Sequence, residues 1–446
     1  MRKILFFLFC SAVLSAQQTV NNDPEIENYV SQISADSLKS HIQKLVSFGT
    51  RHTMSSTTDK KQGIGAARSW VLSKFRTYAK NSGGRMEVFL QNQDLQPDGK
   101  RINKVTNLGN SVAILRGTDP NDKRIFIISG HLDSRVSEVM NANDDAPGAN
   151  DDGSGVGAVI EAARVLSKSK FPATLIFVAF SGEEQGLLGA KMMAETAKKE
   201  NWQIEGVLNN DMIGNTLSSD THLTNANQLR VFSEGLPAYQ TKEKATKIRS
   251  LGLENDGDSR QLARYIKEIG ENYVPNLEVK MMYRNDRFLR GGDHTAFVTE
   301  GFAGVRLTEF NENFDHQHQD IRKENGKQYG DLIEFMDFEY FRKNTAVNVS
   351  VLANLAKAPA KPENVLMDVK ELTNYTVINW EQPKSGNVAG YYVLMRDTDS
   401  SVWQKKIYTK ETSVKLPYSK DNYFFAVQSV NATGNTSLPV ITGVGR

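Results

Sequence analysis

The most constraining feature of this sequence is a series of short apolar segments that alternate with helix-like segments between residues 111 and 210. Residues 111–116, 125–129 and 174–180 are predicted to be buried strands, and residues 155–166 carry apolar side chains at helical spacing. Strands that alternate with helices usually form a parallel sheet with helices on its faces. The sequence therefore predicts an α/β fold with a mixed, largely parallel central sheet flanked by helices.

The pattern changes beyond residues 358–362, a short segment with two prolines that we interpret as a linker. After it, helical periodicity disappears and apolar residues alternate with polar ones at strand spacing. The strand-like segments are residues 376–380, 390–395, 413–416 and 423–427. This pattern predicts a C-terminal all-β, immunoglobulin-like sandwich. With Trp380 on one of its strands, this region resembles a fibronectin type III domain.

These observations divide the chain into two predicted domains. The first covers residues 23–357 and the second covers residues 363–446. Within the first, residues 215–285 are longer and more polar than the other connections. We interpret them as an insertion that borders the functional site.

The N-terminus has the organisation of a signal peptide. Arg2 and Lys3 precede the apolar residues 4–14, and Ala16 ends a suitable cleavage site. We predict that residues 1–16 are removed and that the protein is secreted, to the periplasm or outside the cell. Cys10 is the only cysteine and lies in this segment, so no disulfide is expected in the mature chain. No other stretch has the roughly 20 apolar residues of a spanning helix, which predicts no integral membrane segment.

The charge balance argues against a polyanionic partner. The chain has 54 Lys and Arg residues against 52 Asp and Glu residues. Proteins that bind nucleic acid or an anionic membrane through their overall charge carry an excess of positive residues. We therefore predict no nucleic-acid partner.

Side chains that bind metals follow the predicted strands of the first domain, which also include residues 207–209 and 304–307. They are His131, Asp133, Asp151, Asp152, Glu183, Glu184, Asp211, His316 and His318. Singly, each has an ordinary explanation, such as a helix cap for an aspartate or a solvated loop for a pair of glutamates. In an open α/β sheet, however, the loops at the carboxyl ends of the strands surround one crevice. Their common position after strands predicts that these residues meet in one site.

The residue types suit a catalytic metal. Imidazole and carboxylate groups are the ligands of catalytic zinc sites, which keep an open position for water. Without cysteine, a structural zinc cluster is disfavoured. Two metals roughly 3.5–4 Å apart can share a carboxylate and a water and lower the pKa of that water. This mixture of side chains therefore favours hydrolysis with metal assistance.

Four segments carry a family resemblance. They are GHLDS at residues 130–134, ANDDGSG at 149–155, SGEEQGLLG at 181–189 and NDM at 210–212. In order and spacing they resemble the co-catalytic dizinc exopeptidases, a family that includes secreted bacterial leucyl aminopeptidases.

This resemblance implies two zinc ions per chain and a role for each matching residue. Asp151 would bridge the two ions. His131 and Asp211 would complete the protein ligands of one ion, and Glu184 and His316 those of the other. Glu183 would be the general base. Asp133 would hydrogen-bond His131 and orient it.

The last ligand has an alternative. The family usually places a histidine four residues before an aspartate, which His316 and Asp320 satisfy, but His318 competes with it. Family members often have a tyrosine just before this ligand, where this chain has Asp315. His294 is a candidate for the electrostatic help that the tyrosine would give.

The resemblance implies an aminopeptidase that acts on peptides with a free N-terminus. A glutaminyl cyclase or a carboxypeptidase on the same scaffold is one alternative, and a non-catalytic adhesion or receptor protein is another. The C-terminal domain could also contact a surface or a polymer through its aromatic side chains. A sandwich core needs aromatic side chains of its own, which favours a packing role for those in this domain.

Overall fold

The computed structural model describes residues 22–445. The predicted signal peptide at residues 1–16 lies outside the described residues, as does Cys10. Within the described range there are nine α-helices, one short 3-10 helix and eighteen strands. None of these helices combines the length and the apolar character that crossing a membrane requires.

All helices of the described residues lie between residues 22 and 357. They are α1 (Pro24–Ser31), α2 (Ala35–Val46), α3 (Gly63–Ala79), α4 (Gly153–Leu166), α5 (Leu188–Lys199), α6 (Lys242–Leu251), α7 (Asp258–Tyr273), α8 (His294–Thr299), the 3-10 helix (Ile333–Phe335) and α9 (Phe338–Lys357).

Ten strands accompany these helices. They are β1 (Met86–Leu95), β2 (Thr106–Leu115), β3 (Arg124–His131), β4 (Thr174–Phe180), β5 (Gln203–Asn210), β6 (Gln228–Phe232), β7 (Glu278–Met282), β8 (Gly304–Glu309), β9 (Arg322–Glu324) and β10 (Lys327–Tyr329). Eight of them form one sheet in the order β1-β2-β4-β3-β5-β8-β6-β7, and β9 pairs with β10. The four central strands β4, β3, β5 and β8 are parallel, whereas β1 and β2 run antiparallel at one edge. The predicted mixed, largely parallel sheet is confirmed.

The sheet is covered on both faces. Alternation along β3 shows how: Phe126 and Ile128 pack in the large core that includes α4 and α9, while Ile127 packs against α5 and α8 on the opposite face. All three side chains are fully buried. Successive side chains of a strand point to opposite faces, so an unbroken apolar run is what a strand covered on both sides requires.

The segment 215–285 is built into this sheet. It supplies β6 and β7, which extend the sheet beyond β8. It also supplies α7, whose residues Leu262, Ala263 and Ile266 belong to the large core. The segment predicted as an insertion is therefore part of the main sheet and of its helical cover.

The C-terminal part of the chain is all β. Its strands are β11 (Glu363–Asp368), β12 (Thr376–Glu381), β13 (Gly390–Asp397), β14 (Lys405–Thr409), β15 (Ser413–Leu416), β16 (Tyr423–Val430), β17 (Val440–Ile441) and β18 (Gly443–Gly445). They form two four-stranded sheets, ordered β15-β12-β11-β18 and β14-β13-β16-β17. Trp380 of one sheet packs edge-on against Tyr391 of the other, with ring centroids 5.4 Å apart. The predicted all-β sandwich is confirmed.

The sandwich is joined to the first part of the chain by buried polar contacts. Asp256, just before α7, accepts hydrogen bonds from Arg264 of α7 at 2.9 Å and from Arg396 of β13 at 2.7 Å. The hydroxyl of Tyr265 donates to the main-chain carbonyl of Thr436 at 2.6 Å. Because these side chains are almost completely buried, their polar groups depend on one another rather than on water.

We expect substitution Asp256→Ala to destabilise the whole molecule. It leaves the buried guanidinium groups of Arg264 and Arg396 without their shared carboxylate. Removing one partner of a buried ion pair costs about 3–5 kcal/mol of unfolding free energy. The measurement is the midpoint of unfolding in urea.

The matched control is Glu87→Ala, which removes the partner of Arg116 in a pair whose side chains are about half exposed. Exposed pairs contribute about 0–1 kcal/mol. If the midpoint of unfolding in urea falls by the same small amount in both variants, the buried-pair interpretation is contradicted.

Candidate metal centre

The candidate site lies where four parallel strands end. His131 is the last residue of β3, Glu183 and Glu184 follow β4 by three and four residues, and Asp211 follows β5 directly. The loop after β8 contributes residues 310–320. Parallel strands bring their carboxyl ends to one edge of the sheet, which is the usual position of sites in open α/β folds.

Two groups of potential ligands face each other there. The first consists of His131, Glu183 and Asp211, and the second of Asp151, Glu184 and His318; within each group the ligand atoms lie within 4.8 Å of one another. Asp151 stands between the groups. Its Oδ1 lies 3.1 Å from Nε2 of His131, and its Oδ2 lies 3.0 Å from Nε2 of His318. One oxygen toward each group is the arrangement that a carboxylate bridging two metals needs.

The structure brings His318, and not the predicted His316, to the other candidate ligands. His318 reaches the site instead, with Nε2 2.8 Å from Oε1 of Glu184. The ring of His316 stacks on Phe335, with centroids 3.7 Å apart and planes 9° from parallel. Burial there lowers the pKa of His316 to about 4. His318 has φ +55°, a left-handed conformation that histidine adopts more readily than most residues.

Asp133 acts on the site in a different way from the one predicted. Its main-chain carbonyl, not its carboxylate, accepts the hydrogen bond from Nδ1 of His131, at 3.0 Å. The nearest carboxylate oxygen is 3.9 Å from that nitrogen. The carboxylate instead accepts main-chain N–H groups of Gly182, Glu183 and Glu184 at 2.9, 3.2 and 3.1 Å. Asp133 therefore orients His131 through its backbone and holds the loop of the two glutamates through its side chain.

Asp152 has a similar role for the other strand ends. Its carboxylate accepts the main-chain N–H of His131 and of Gly155 at 2.8 Å each, and that of Met212 at 3.2 Å. It therefore caps α4 and ties the ends of β3 and β5 to that helix. The peptide bond between Asp151 and Asp152 is cis.

Two charged residues that the sequence analysis did not single out support the ligands. Asp331 accepts the main-chain N–H of Asp151 at 2.7 Å, and burial raises the pKa of Asp331 to about 7. Arg306 places its guanidinium 3.0 Å from Asp211 and 2.9 Å from Asp286. Neither residue belongs to a recognisable motif, so no local signal in the sequence identifies them.

Arg135 and Gln317 contact the second group of ligands. Arg135 lies 3.0 Å from Oε2 of Glu184 and 2.7 Å from Nδ1 of His318. Gln317 donates to Oδ2 of Asp151 at 2.9 Å. Both residues adjoin predicted positions in the sequence, but their contacts depend on loop conformation.

The pKa values of the carboxylates in the site are shifted in opposite directions. Burial, reinforced by Glu184 and Asp211, raises the pKa of Glu183 well above its ordinary value, despite the favourable charge of His131. Burial would raise the pKa of Asp151 too, but His318 and His131 outweigh it and hold that pKa well below the ordinary value. Burial also raises the pKa of Asp293, to about 8, and its carboxylate has no hydrogen-bond partner among residues 22–445.

Such a concentration of buried acidic groups fits divalent cations. Histidine nitrogens and carboxylate oxygens in two facing groups are the donors that zinc accepts. Each group offers three side chains, which leaves room for water. His294, the candidate for additional electrostatic help, is buried, and its Nε2 donates a hydrogen bond of 2.8 Å to the carbonyl of Asn285. It does not line the cleft over the site, which has a volume of about 260 Å³.

Comparison with known proteins gives relatives of similar length. The chain matches Peptidase family M28 over residues 110–334. It is 44% identical over 419 residues to a probable zinc metalloprotease of Leptosphaeria maculans, covering 94% of this chain and 96% of that protein. It is 41% identical over 436 residues to a probable zinc metalloprotease of Pyricularia oryzae, covering 95% and 85% respectively. Among solved structures, it resembles the fold of the LapA aminopeptidase of Legionella pneumophila, with a TM-score of 0.53, 19% identity and 76% of each chain covered.

Substitution shows which of the two histidines in the loop after β8, His316 or His318, binds metal. We expect His318→Ala to weaken metal binding, because it removes a candidate ligand. The loss of affinity should exceed the roughly 10- to 100-fold that follows when a ligand loses its hydrogen-bond partner. His316→Ala should keep its metal, since that ring packs on Phe335. Metal content after dialysis, measured by mass spectrometry, tests both variants. Loss of metal from His316→Ala but not from His318→Ala would support His316 as the ligand.

Proposed function

Because this chain belongs to peptidase family M28, we propose that it is a zinc aminopeptidase, which binds two zinc ions and hydrolyses the N-terminal peptide bond of peptides. The observation that carries this proposal is the position of Asp151, with one carboxylate oxygen toward each of two facing groups of ligands. The names of the relatives, probable zinc metalloproteases, support zinc as the metal. The aminopeptidase fold neighbour supports only the architecture.

The proposed ligands combine the geometry of the two groups with the roles that the family resemblance implies. Asp151 would bridge, His131 and Asp211 would hold one ion, and Glu184 and His318 the other. Zinc at such paired sites supplies Lewis acidity: it lowers the pKa of water and polarises the carbonyl under attack. The hydrogen bond from Nδ1 of His131 to the carbonyl of Asp133 leaves Nε2 free to bind metal.

Glu183 would transfer the proton. It lies in the same group as His131 and Asp211 and lines the cleft, so its carboxylate reaches both the metal centre and a bound peptide. It would accept the proton of the attacking water and deliver it to the leaving amine. Asp133 holds the main-chain N–H of Glu183 and so positions this carboxylate without touching substrate.

The substrate would enter with its free amine toward the acidic centre. The ammonium group of a peptide N-terminus carries a positive charge, and the buried carboxylates of Glu183 and Asp211 face the cleft. An N-blocked peptide lacks this charge, so discrimination against it is expected.

We propose the following organisation around this activity. Residues 1–16 would be removed as a signal peptide and the protein secreted, as the charged and apolar N-terminal residues indicate. Residues 23–357 would form the peptidase domain, 358–362 the linker, and 363–446 a fibronectin type III-like domain. The packing of Trp380 on Tyr391 between its two sheets supports that likeness.

Metal content and chelation test the function directly. Purified protein should hold about two zinc ions and release the first residue from aminoacyl-nitroanilides. A chelator should abolish release and added zinc should restore it. N-acetylated substrates should stay intact. Cyclisation of N-terminal glutamine without release, or cleavage from the carboxyl end, would reject the aminopeptidase proposal.

A conservative substitution tests the general base. Glu183→Gln should keep both zinc ions but lower kcat by about 10²- to 10⁴-fold, the usual contribution of a general base. The matched control is Glu195→Gln on α5, an exposed glutamate that does not line the cleft. Wild-type turnover in a fully metallated Glu183→Gln protein would remove Glu183 from the mechanism.

A further inference from the structure

The cleft over the metal centre is lined by an unusual combination of charges. Its acidic residues are Asp151, Glu183, Glu184 and Asp211, all of them members of the two ligand groups. Its other charged residues are four arginines: Arg101, Arg135, Arg287 and Arg290. Outside the metal centre, the charged wall of the cleft is therefore entirely cationic.

Two of these arginines are already engaged. Arg135 pairs with Glu184 at 3.0 Å, and Arg287 pairs with Glu312 at 2.6 Å. The other two have no carboxylate within 4.0 Å in the described part of the chain, and both are exposed. Arg101 makes one contact, a hydrogen bond of 3.3 Å to the main-chain carbonyl of Glu184, and Arg290 uses only its main chain. Their charges face the cleft without compensation.

The loops that carry these two side chains are firmly held. Asp98 accepts the main-chain N–H groups of Lys100, Arg101 and Ile102, each at 2.8 Å, which fixes the turn before β2. The main-chain N–H of Arg290 donates to the carbonyl of Arg287 at 3.1 Å. These two guanidinium groups, which pair with no carboxylate in the described part of the chain, therefore project from hydrogen-bonded turns. Ordering them around a ligand costs less entropy than ordering a mobile loop.

The second turn is also tied to the metal centre. Asp286, next to Arg287, binds Arg306 at 2.9 Å, and Arg306 binds Asp211 at 3.0 Å. This chain of ion pairs holds the turn that carries Arg290 relative to a proposed ligand. Arg101 is held relative to the other group of ligands through the carbonyl of Glu184. A group bound by either arginine therefore lies in the cleft that contains the metal centre.

We propose that Arg101 and Arg290 select peptides that carry a carboxylate near the scissile bond. This inference rests on the proposed function and names its substrate class. A guanidinium group binds a carboxylate through two parallel hydrogen bonds, and such charge-assisted bonds are about twice as strong as neutral ones. The carboxylate comes either from an acidic side chain after the first residue or from the free C-terminus of a short peptide. Peptides with a basic residue there are disfavoured by repulsion.

Matched peptides separate the two sources. The wild-type protein is given Leu-Glu-Ala-amide, Leu-Gln-Ala-amide, Leu-Lys-Ala-amide and the free acid Leu-Gln-Ala, and kcat/KM is measured for each. We expect up to about fivefold higher kcat/KM for a carboxylate peptide than for Leu-Gln-Ala-amide, the range for ion pairs at exposed side chains. Preference for the glutamyl peptide identifies the side chain as the source. Preference for the free acid identifies the C-terminus.

Substitutions assign the preference to the two arginines. In the double variant Arg101→Gln, Arg290→Gln the ratio between carboxylate and neutral peptides should fall to about one. The control is Arg76→Gln, which removes an exposed arginine of α3 that does not line the cleft, and which should keep the wild-type ratio. A ratio that survives in the double variant would overturn the assignment.

Binding without turnover keeps this test independent of the proposed activity. Calorimetry on the metallated Glu183→Gln protein should give a Kd up to about fivefold lower for the preferred carboxylate peptide than for Leu-Gln-Ala-amide. Equal Kd values and equal kcat/KM values would reject carboxylate selection while leaving the aminopeptidase proposal intact. If the carboxylate peptide binds more tightly but the wild-type protein hydrolyses none of the peptides, the proposed function is rejected and carboxylate selection is retained.

Discussion

The structure depends on the burial of several carboxylates where four parallel strands end. Asp151, Glu184 and Asp211 are almost fully buried, and Glu183 is close to them. Like charges at such distances repel strongly in a medium of low dielectric constant, and desolvation adds to the cost. The raised pKa of Glu183 expresses this cost directly. The site therefore needs positive charge, which His131, His318 and Arg306 supply only in part, and divalent cations would supply the rest.

Two aspartates that are not ligands allow this arrangement to persist. The carboxylates of Asp133 and Asp152 each accept three main-chain N–H groups, from residues that precede, follow or include the ligands. The ligand loops are consequently held by their backbones, and the ligand side chains remain free to bind metal. A fold that presents metal ligands on loops requires this kind of support.

The sequence predicted the central sheet well because its signal is local. An apolar strand covered on both faces is recognisable from its own residues, as β3 is, and the ligands that directly follow strands are found with it. Spacing favoured His316 on the long loop after β8, whereas the structure brings His318 to Glu184, with a left-handed backbone at His318 that spacing does not reveal. Asp331 lies 180 residues from the main-chain group it binds, and Arg101 and Arg290 matter only because three loops converge. Contacts of this kind are consequences of the fold and leave no pattern in the sequence.

The position of the sandwich gives it a part in the architecture of the cleft. Arg264 of α7 binds both Asp256 and the main-chain carbonyl of Ser401, so the helix that covers the β6 and β7 edge is anchored on the sandwich. The same sheet edge continues from β7 into residues 283–291, which carry Arg287 and Arg290. Without the sandwich, Arg264 and Tyr265 would lose buried hydrogen-bond partners, and each lost partner costs about 1–3 kcal/mol. The two parts are therefore better understood as one packed unit, in which the sandwich supports the sheet edge that leads into the substrate cleft.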